Sequence, residues 1–192
     1  DKGQKPLLKL AYSFCRFHER YANFFFSTTR SVVEQSRQYL SGLMQAVHKN
    51  IERMTEVVAE TEYQSLQHFT SHSPWDPQPV MDQVALDADH ALGGTADSAL
   101  VLDESSNPKK GKKSVGVARQ WCGRLGKVDN CQTGVYASLV QGVAATIIAC
   151  RLYLPKEWTD DRKRCKAAGV PEDVVFQTKS QLVLYIVHHV RT

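Results

Sequence analysis

Apolar residues recur every three or four positions through the first half of the chain, which is the period of a helix face packed against a core. Four such stripes follow one another: Leu7–Phe24, Val33–Met54, Tyr63–Phe69 and Val80–Ala88. Polar residues at Ser27–Thr29 separate the first two. The third must end before Pro74, because proline disfavours helix in the preceding residue. The fourth stops at Gly93 and Gly94. The first half is therefore predicted to be helical.

After Gly94 the pattern changes to short apolar or alternating runs, which are typical of β-strands. Four strand candidates follow: Ser98–Asp103, Ser114–Trp121, Gly134–Val140 and Thr146–Leu154. The first is a continuous apolar run, so we expect a buried central strand with Val101 in the core. A loop with a short helix is expected over Lys156–Gly169, whereas Leu182–Val190 fits either a helix or a strand. Strands joined by short turns favour an antiparallel sheet.

These patterns predict an α+β protein whose helices precede its strands. We expect a helical domain over residues 1–96 and a sheet domain over 97–192, because the change of pattern falls between them. No run reaches the roughly 18 apolar residues that a membrane-spanning helix needs. The first residues show no signal peptide, so a cytoplasmic location is expected.

Charge is segregated along the chain, although the net charge is only +4. Residues 1–51 contain eight Lys/Arg and three Asp/Glu, and residues 98–166 contain thirteen Lys/Arg and six Asp/Glu. Between them, residues 52–97 contain nine Asp/Glu and Arg53 as the single base. Alternating blocks suit a protein that lays two basic surfaces on a polyanion. Ordinary solvated faces explain the same charges, so charge alone does not decide between them.

The cysteines, the histidines and the missing sequence motifs limit the kinds of site that the chain can form. The five cysteines form no closely spaced pair, which favours free thiols in a reducing compartment over disulfides or a zinc site. No glycine-rich nucleotide motif or serine hydrolase motif occurs. His68 and His72 lie one helical turn apart, but no third ligand is nearby. We therefore expect a surface or core pair there rather than a metal site.

Two acids at the end of the first strand, Asp103 and Glu104, are followed closely by four lysines. The lysines are Lys109, Lys110, Lys112 and Lys113. A carboxylate at the end of a buried strand costs free energy unless a partner or a metal compensates it. Two-metal phosphoryl transfer needs rigidly placed carboxylates, and lysines on an adjacent turn would contact phosphates. The alternative is a strand end followed by a solvated charged turn.

Several long runs carry a resemblance to a known family. The runs are VLDESSNPKKGKKSVGVARQWCGRLGKVDNCQTGVYASL, RLYLPKEWTDDRKRCKAAGVPEDVVFQTKSQL, QYLSGLMQAVHKNIERM, YQSLQHFTSHSPWD and MDQVALDADHALGG. Together they cover about residues 30 to 184, and they resemble bacterial insertion-sequence transposases of the insertion sequence 701 group, in the DDE superfamily.

The resemblance implies DNA transposition in the bacterial cytoplasm by a catalytic domain with a ribonuclease H-like fold, whose antiparallel strands belong to a mixed sheet. Asp103 then matches the first catalytic Asp and would be a ligand of Mg²⁺ or Mn²⁺, with Glu104 as a weaker neighbouring ligand. Double-stranded DNA, at the transposon ends and the target, is the implied partner, and a homodimer is left open. The helical region would serve DNA binding or assembly. The candidate DNA contacts are Lys109, Lys110, Lys112, Lys113, Arg119, Arg124 and Lys127.

The chain departs from the family pattern at two places. Ser105–Ser106 stands where the family usually has Thr-Gly, and no residue matches the second catalytic Asp or the Glu. We therefore expect an amino-terminal fragment of a transposase that does not cut DNA. The alternatives are a noncatalytic DNA-binding or oligomerisation module, or an unrelated α+β domain with a basic surface.

Overall fold

The apolar stripes of the first half fold as five helices in a computed structural model that describes residues 4–26 and 30–191. The helices are α1 (Gln4–Tyr21), α2 (Val33–Gln45), α3 (Ile51–Val57), α4 (Tyr63–Ser71) and α5 (Pro77–Leu92), with a 3₁₀ turn at Ala22–Phe25. The helical first half is thus confirmed. The predicted break at Ser27–Thr29 lies outside the described residues. The chain divides into two compact units, Asp1–Val80 and Met81–Thr192.

The second apolar stripe forms two helices rather than one. Ala46 leaves the helical conformation, with φ −69° and ψ 135°, and ends α2. Asn50 then caps α3, because its side chain accepts a hydrogen bond from the Arg53 backbone N–H at 3.0 Å. Val47 lies in the intervening bend and is 88% exposed. The prediction of one continuous buried stripe over Val33–Met54 is therefore wrong at Val47.

The core of the first unit forms where α2, α3 and α4 meet. Ala46, Met54 and Leu66 are buried there, and Leu66 has no exposed surface. Gly42 on α2 permits the close approach of α3, since a Cβ atom at this position would lie 2.6 Å from Met54 Cγ. Shape complementarity around one small residue thus fixes the α2–α3 packing.

A buried hydrogen bond joins α1 to α2. His18 is 4% exposed, and its Nε2 lies 2.7 Å from Ser36 Oγ. The Ser36 hydroxyl donates to the Val33 carbonyl at 2.7 Å, so the His18 Nε2–H donates to Ser36. Burial lowers the pKa of His18 because it disfavours the imidazolium, and the positive charge of Arg37 lowers this pKa further. The imidazole of His18 is therefore uncharged in the folded protein at neutral pH.

The second unit is built on a four-stranded antiparallel sheet. Its strands are β1 (Ser98–Pro108), β2 (Ala118–Cys122), β3 (Lys127–Gln141) and β4 (Ala144–Leu152). The long strand β3 pairs with β1 along one edge, and with β2 and then β4 along its other edge. The helices α6 (Lys156–Thr159), α7 (Arg162–Ala167) and α8 (Lys179–Val190) follow β4. The α+β class and the antiparallel pairing are confirmed.

One face of this sheet carries the core. Buried side chains from β3, β4 and α8 meet there with Ala88 of α5: Val135, Ala137, Ile148, Ala149, Leu182 and Ile186. Leu100 and Leu102 of β1 pack against the same group. Because side chains alternate along a strand, Val101 and Asp103 lie on the opposite face, together with Gln132, Gly134 and Tyr136 of β3. We call this opposite side of the sheet the outer face.

The first strand differs from its prediction. Within the described residues β1 pairs with β3 alone, so one of its edges has no strand partner. Val101 lies on the outer face and is 48% exposed. The expectation of a strand buried on both faces, with Val101 in the core, is therefore wrong. The continuous apolar run concealed an alternation, since only every second residue faces the core.

The ambiguous segment near the end of the chain is a helix. Thr178 caps α8 by accepting a hydrogen bond from the Gln181 backbone N–H, and the Gln181 side chain accepts from the Thr178 N–H in return. No helix among the described residues combines the length and apolar character required to cross a bilayer. The five cysteines are free thiols, as the sequence predicts.

The division into compact units falls within α5, between Val80 and Met81. The predicted boundary between residues 96 and 97 instead marks the change from helices to strands. Whether independently folding domains meet there stays a prediction.

We expect the first unit to lose stability as the pH falls, because the folded state binds a proton at His18 less readily than the unfolded chain does. Above its ordinary pKa of about 6.5, His18 is neutral in both states. Below that pH the unfolded chain binds the proton more readily, so the free energy of unfolding falls by at most about 1.4 kcal/mol per pH unit. Chemical denaturation between pH 7.5 and 5 measures this slope. His18→Gln should flatten it, while the control His48→Gln, at an exposed histidine, should not. Equal slopes for the two variants would contradict the assignment.

Candidate functional site

The two predicted acids lie on opposite faces of the sheet. Asp103 is opposite Tyr136 in the β1–β3 register, and Glu104 is opposite the buried Val135. The Asp103 carboxylate is exposed, and its Oδ1 accepts a hydrogen bond from the Glu104 backbone N–H at 2.8 Å. The structure thus places Asp103 on the outer face and Glu104 on the face that α8 covers, and it does not bring them together at one site.

Glu104 has a partner of its own. Its Oε2 lies 2.5 Å from Lys179 Nζ, at the first residue of α8, and the two side chains are 37% and 33% exposed. The same Lys179 ammonium lies 5.4 Å from the centroid of the Tyr153 ring. The pair fastens β1 to the start of α8. At this exposure it contributes about 0.2–1 kcal/mol to stability.

The acids by themselves do not form a metal centre. Divalent ions such as Mg²⁺ prefer several oxygen ligands, and Asp103 can supply one carboxylate at a rigid position in a strand. In the part of the chain that the structure describes, no group of three His, Cys, Asp or Glu side chains converges. Asp103 can therefore act as one ligand of a metal ion. Glu104 could act as a second ligand only after its ion pair with Lys179 breaks.

The four lysines lie in a connection that crosses β3. Pro108 pairs with Cys131 along one edge of β3, and Ala118 pairs with the same residue along the other edge. Residues 109–117, which we call the lysine loop, run between these two points. Side chains of Asn130 and Gln132 contact this loop, and by alternation they lie on the outer face, as does Asp103. Gln132 is four residues along β3 from the partner of Asp103, or roughly 13 Å at 3.3 Å per residue.

Backbone carbonyls of the lysine loop are held by side chains of β3. Asn130 Nδ2 donates to the carbonyls of Lys109 at 2.5 Å and Gly111 at 2.9 Å. Gln132 Nε2 donates to the carbonyl of Val115 at 2.6 Å. The loop is therefore anchored through its main chain, which leaves the side chains free to point outward.

The end of the loop is held from α6. The Trp158 indole N–H donates to the Val117 carbonyl at 2.8 Å, and Trp158 has no exposed surface. Gly116 adopts φ +77°, and a Cβ there would lie 2.9 Å from the Tyr153 carbonyl oxygen. Only glycine accepts both the left-handed conformation and this close approach. These contacts give the loop a defined shape.

The remaining candidate contacts are spread along the β2–β3 hairpin. Arg119 is opposite Asn130 in the register, so it lies beside the anchored loop. Arg124 is exposed in the turn that joins the two strands. Lys127 pairs with Asp129 at 3.0 Å, and the hydrogen bond from Lys127 lowers the pKa of Asp129. By alternation these two lie on the face opposite Asn130. Of the three candidates, Arg119 therefore lies next to the lysine loop. Arg124 lies in the turn at the end of the hairpin, and Lys127 already forms an ion pair with Asp129.

Sequence reasoning missed the residues that shape the loop. Both Asn130 and Gln132 lie before Gly134, where the sequence pattern starts this strand. Because β3 in fact begins at Lys127, they stand two positions apart within it and point to one face. Nothing in the local sequence links Trp158 to the loop, because the two are distant in the chain and meet only through folding.

Comparisons with known proteins agree on one family. The sequence profile described as DDE superfamily endonuclease matches residues 23–192. A probable transposase for insertion sequence element IS701 from Microchaete diplosiphon is 27% identical over 155 residues, which is 79% of this chain. The chain spans 39% of the length of that relative. No solved structure matches.

We expect substitutions of the two acids to affect stability differently. Asp103→Asn should change the free energy of unfolding by less than about 0.5 kcal/mol, because the carboxylate is exposed and outside the core. Glu104→Gln and Lys179→Met should each cost up to about 1 kcal/mol, and together no more than the larger single cost, since both remove one interaction. Urea denaturation gives all four values. A cost above 1 kcal/mol for Asp103→Asn would instead indicate a structural acid.

Proposed function

Because the chain belongs to the DDE superfamily of endonucleases, we propose that it acts in DNA transposition. In this proposal Asp103 supplies the first carboxylate of the catalytic site, and the lysine loop holds the DNA backbone beside it. The observation that carries the proposal is that Asp103 and the loop lie on one face of the sheet, roughly 13 Å apart along β3.

Endonucleases of this superfamily generally use divalent metal ions, and we propose Mg²⁺ or Mn²⁺ here. Bound ions would supply the charge that stabilises the attacking and leaving oxygens of a phosphodiester. The role of Asp103 is to hold one ligand position rigidly, because β1 is paired with β3 over its whole length. Glu104 supports that strand through Lys179 and is a ligand candidate only if this pair opens.

The lysine loop is suited to binding a polyanion rather than to forming ion pairs with acidic side chains of the same chain. Its carbonyls are satisfied inward by Asn130, Gln132 and Trp158, while Lys110, Lys112 and Lys113 are exposed. No acidic residue occurs between Glu104 and Asp129 in the sequence. A surface of fixed shape and one sign of charge matches the regular charge of a duplex backbone.

A noncatalytic DNA-binding or assembly module is the second candidate. The absence of a converging acid cluster in the described residues favours it. Among the strands that the structure describes, none pairs with the second edge of β1, and such an edge can pair with another chain. This favours assembly, and a homodimer belongs to this candidate. A transposase and a DNA-binding module would both act on bacterial DNA, so the proposal includes a location in the bacterial cytoplasm.

DNA binding should be strongly salt-dependent and should require the loop lysines. Changing all four to alanine should lower the slope of log affinity against log salt by about 0.9 per lysine that neutralises a phosphate, up to about 3.6. Changing the same four to arginine keeps the charge and should preserve the slope. Fluorescence anisotropy with a labelled duplex measures both variants. An unchanged slope for the alanine variant would remove the loop from the DNA interface.

The two candidates differ in metal binding at Asp103. If the chain is a transposase, Mn²⁺ bound at Asp103 should broaden the amide NMR signals of Asp103 and of Tyr136, its partner in the sheet, in the DNA-bound chain. Asp103→Asn should abolish the broadening, whereas Glu104→Gln on the opposite face should retain it. Broadening that is equal in the wild type and in Asp103→Asn would favour the noncatalytic module.

Binding of an ion at one carboxylate does not make a nuclease. Supercoiled plasmid incubated with the chain and Mg²⁺ or Mn²⁺ should therefore stay uncut, because two ions need several converging carboxylates. Nicking that disappears in Asp103→Ala would show that other acids complete the site.

A further inference from the structure

The short helix α7 carries cations that the site described above does not use. Its sequence, Arg162–Ala167, places Cys165 in the core at 3% exposure and leaves Arg162, Lys163 and Lys166 exposed. At 100° per residue, these three exposed side chains fall within one third of the helix circumference. They therefore form a basic face that points away from the core.

Arg164 connects this helix directly to the lysine loop. Its Nη2 donates to the carbonyl of Lys112 at 2.8 Å and lies 3.4 Å from the carbonyl oxygen of Val117. Its guanidinium carbon lies 3.6 Å from the centroid of the Trp158 ring. A planar guanidinium can stack on a ring and donate to carbonyls at its edge, which a lysine ammonium cannot do. The contact brings the basic face of α7 next to the loop.

In the described part of the chain, the lysines of the loop and of α7 (Lys163 and Lys166) form no ion pairs. Acids also lie near α7. Asp160 and Asp161 directly precede it, Asp161 caps it by accepting from the Arg164 backbone N–H at 2.9 Å, and Glu172 lines a groove beside it. Bringing uncompensated cations together raises the electrostatic free energy of the folded chain. A polyanionic partner would lower it.

We propose that α7 and the lysine loop form one surface for the phosphodiester backbone of duplex DNA. Lys163 and Lys166 contact phosphates, and Arg164 is a positioning residue that holds the loop against α7. Arg162 is a weaker candidate because its Nη1 already donates to the Val174 carbonyl at 2.8 Å. The inference rests on the proposed DNA binding and extends it to a helix outside the predicted contacts.

The test compares salt slopes for a labelled duplex of mixed sequence bound to the full chain. Lys163→Ala/Lys166→Ala should lower the slope of log affinity against log salt by about 1.8. A fourfold rise in salt would then weaken the wild type about tenfold more than the variant. Arg53→Ala, an exposed cation of the acidic segment that pairs with Glu56, serves as the control and should leave the slope unchanged.

Arg164→Lys tests the positioning role separately. This variant keeps the charge but removes the ring stacking and the planar fork, so the slope should fall by at least about 1 as the loop lysines lose their arrangement. A variant that stays folded and binds like the wild type would overturn the positioning role. If Arg164→Lys fails to fold, the Lys163→Ala/Lys166→Ala variant still decides the surface.

The outcomes separate this inference from the proposed function. If the wild type shows no salt-dependent DNA binding, both the proposed function and the α7 surface are overturned. If the wild type binds and the four-lysine alanine variant weakens binding, but Lys163→Ala/Lys166→Ala equals Arg53→Ala, only the α7 surface is overturned. Parallel slope losses in the loop and α7 variants would support a single surface.

Discussion

The pairing of both edges of β3 is the constraint on which the second unit depends. With β1 on one edge and β2 and β4 on the other, the fifteen-residue strand cannot slip or rotate without breaking three ladders at once. Its alternating side chains are therefore assigned to fixed faces. Val135 and Ala137 go to the core, and Gln132 and Tyr136 go to the outer face. The faces on which Asp103, Asn130 and Gln132 lie follow from that assignment.

The close succession of acids and lysines after β1 has a structural explanation in this arrangement. The chain leaves β1 at Pro108 and crosses β3 to begin β2. Because Asn130 and Gln132 hold the crossing segment, it lies on the outer face with Asp103. Polar side chains of β3 and of α6 hold its carbonyls. A loop bound through its main chain can carry four like charges, because its shape does not depend on pairing them.

Neighbouring acids can have unrelated roles when a strand separates them by face. Glu104 faces α8 and pairs with Lys179, which stabilises the sheet. Asp103 faces outward and accepts a hydrogen bond from its neighbour's backbone N–H. The family assignment gives Asp103 its proposed role, and the register of β1 explains why Glu104 does not share it. A metal centre would need further acids on the outer face, and none converges there in the described residues.

The sequence by itself determined the class of the fold, the helix stripes, the free cysteines and the family, because these depend on local periodicity and on long matching runs. It also placed Asp103 at a strand and the lysines in a turn. Folding decided the rest: that Val101 is exposed, that α2 ends before Val47, and that Arg164 meets the lysine loop. Such contacts join residues far apart in the chain. No local pattern records them, since each depends on which face and which edge the sheet presents.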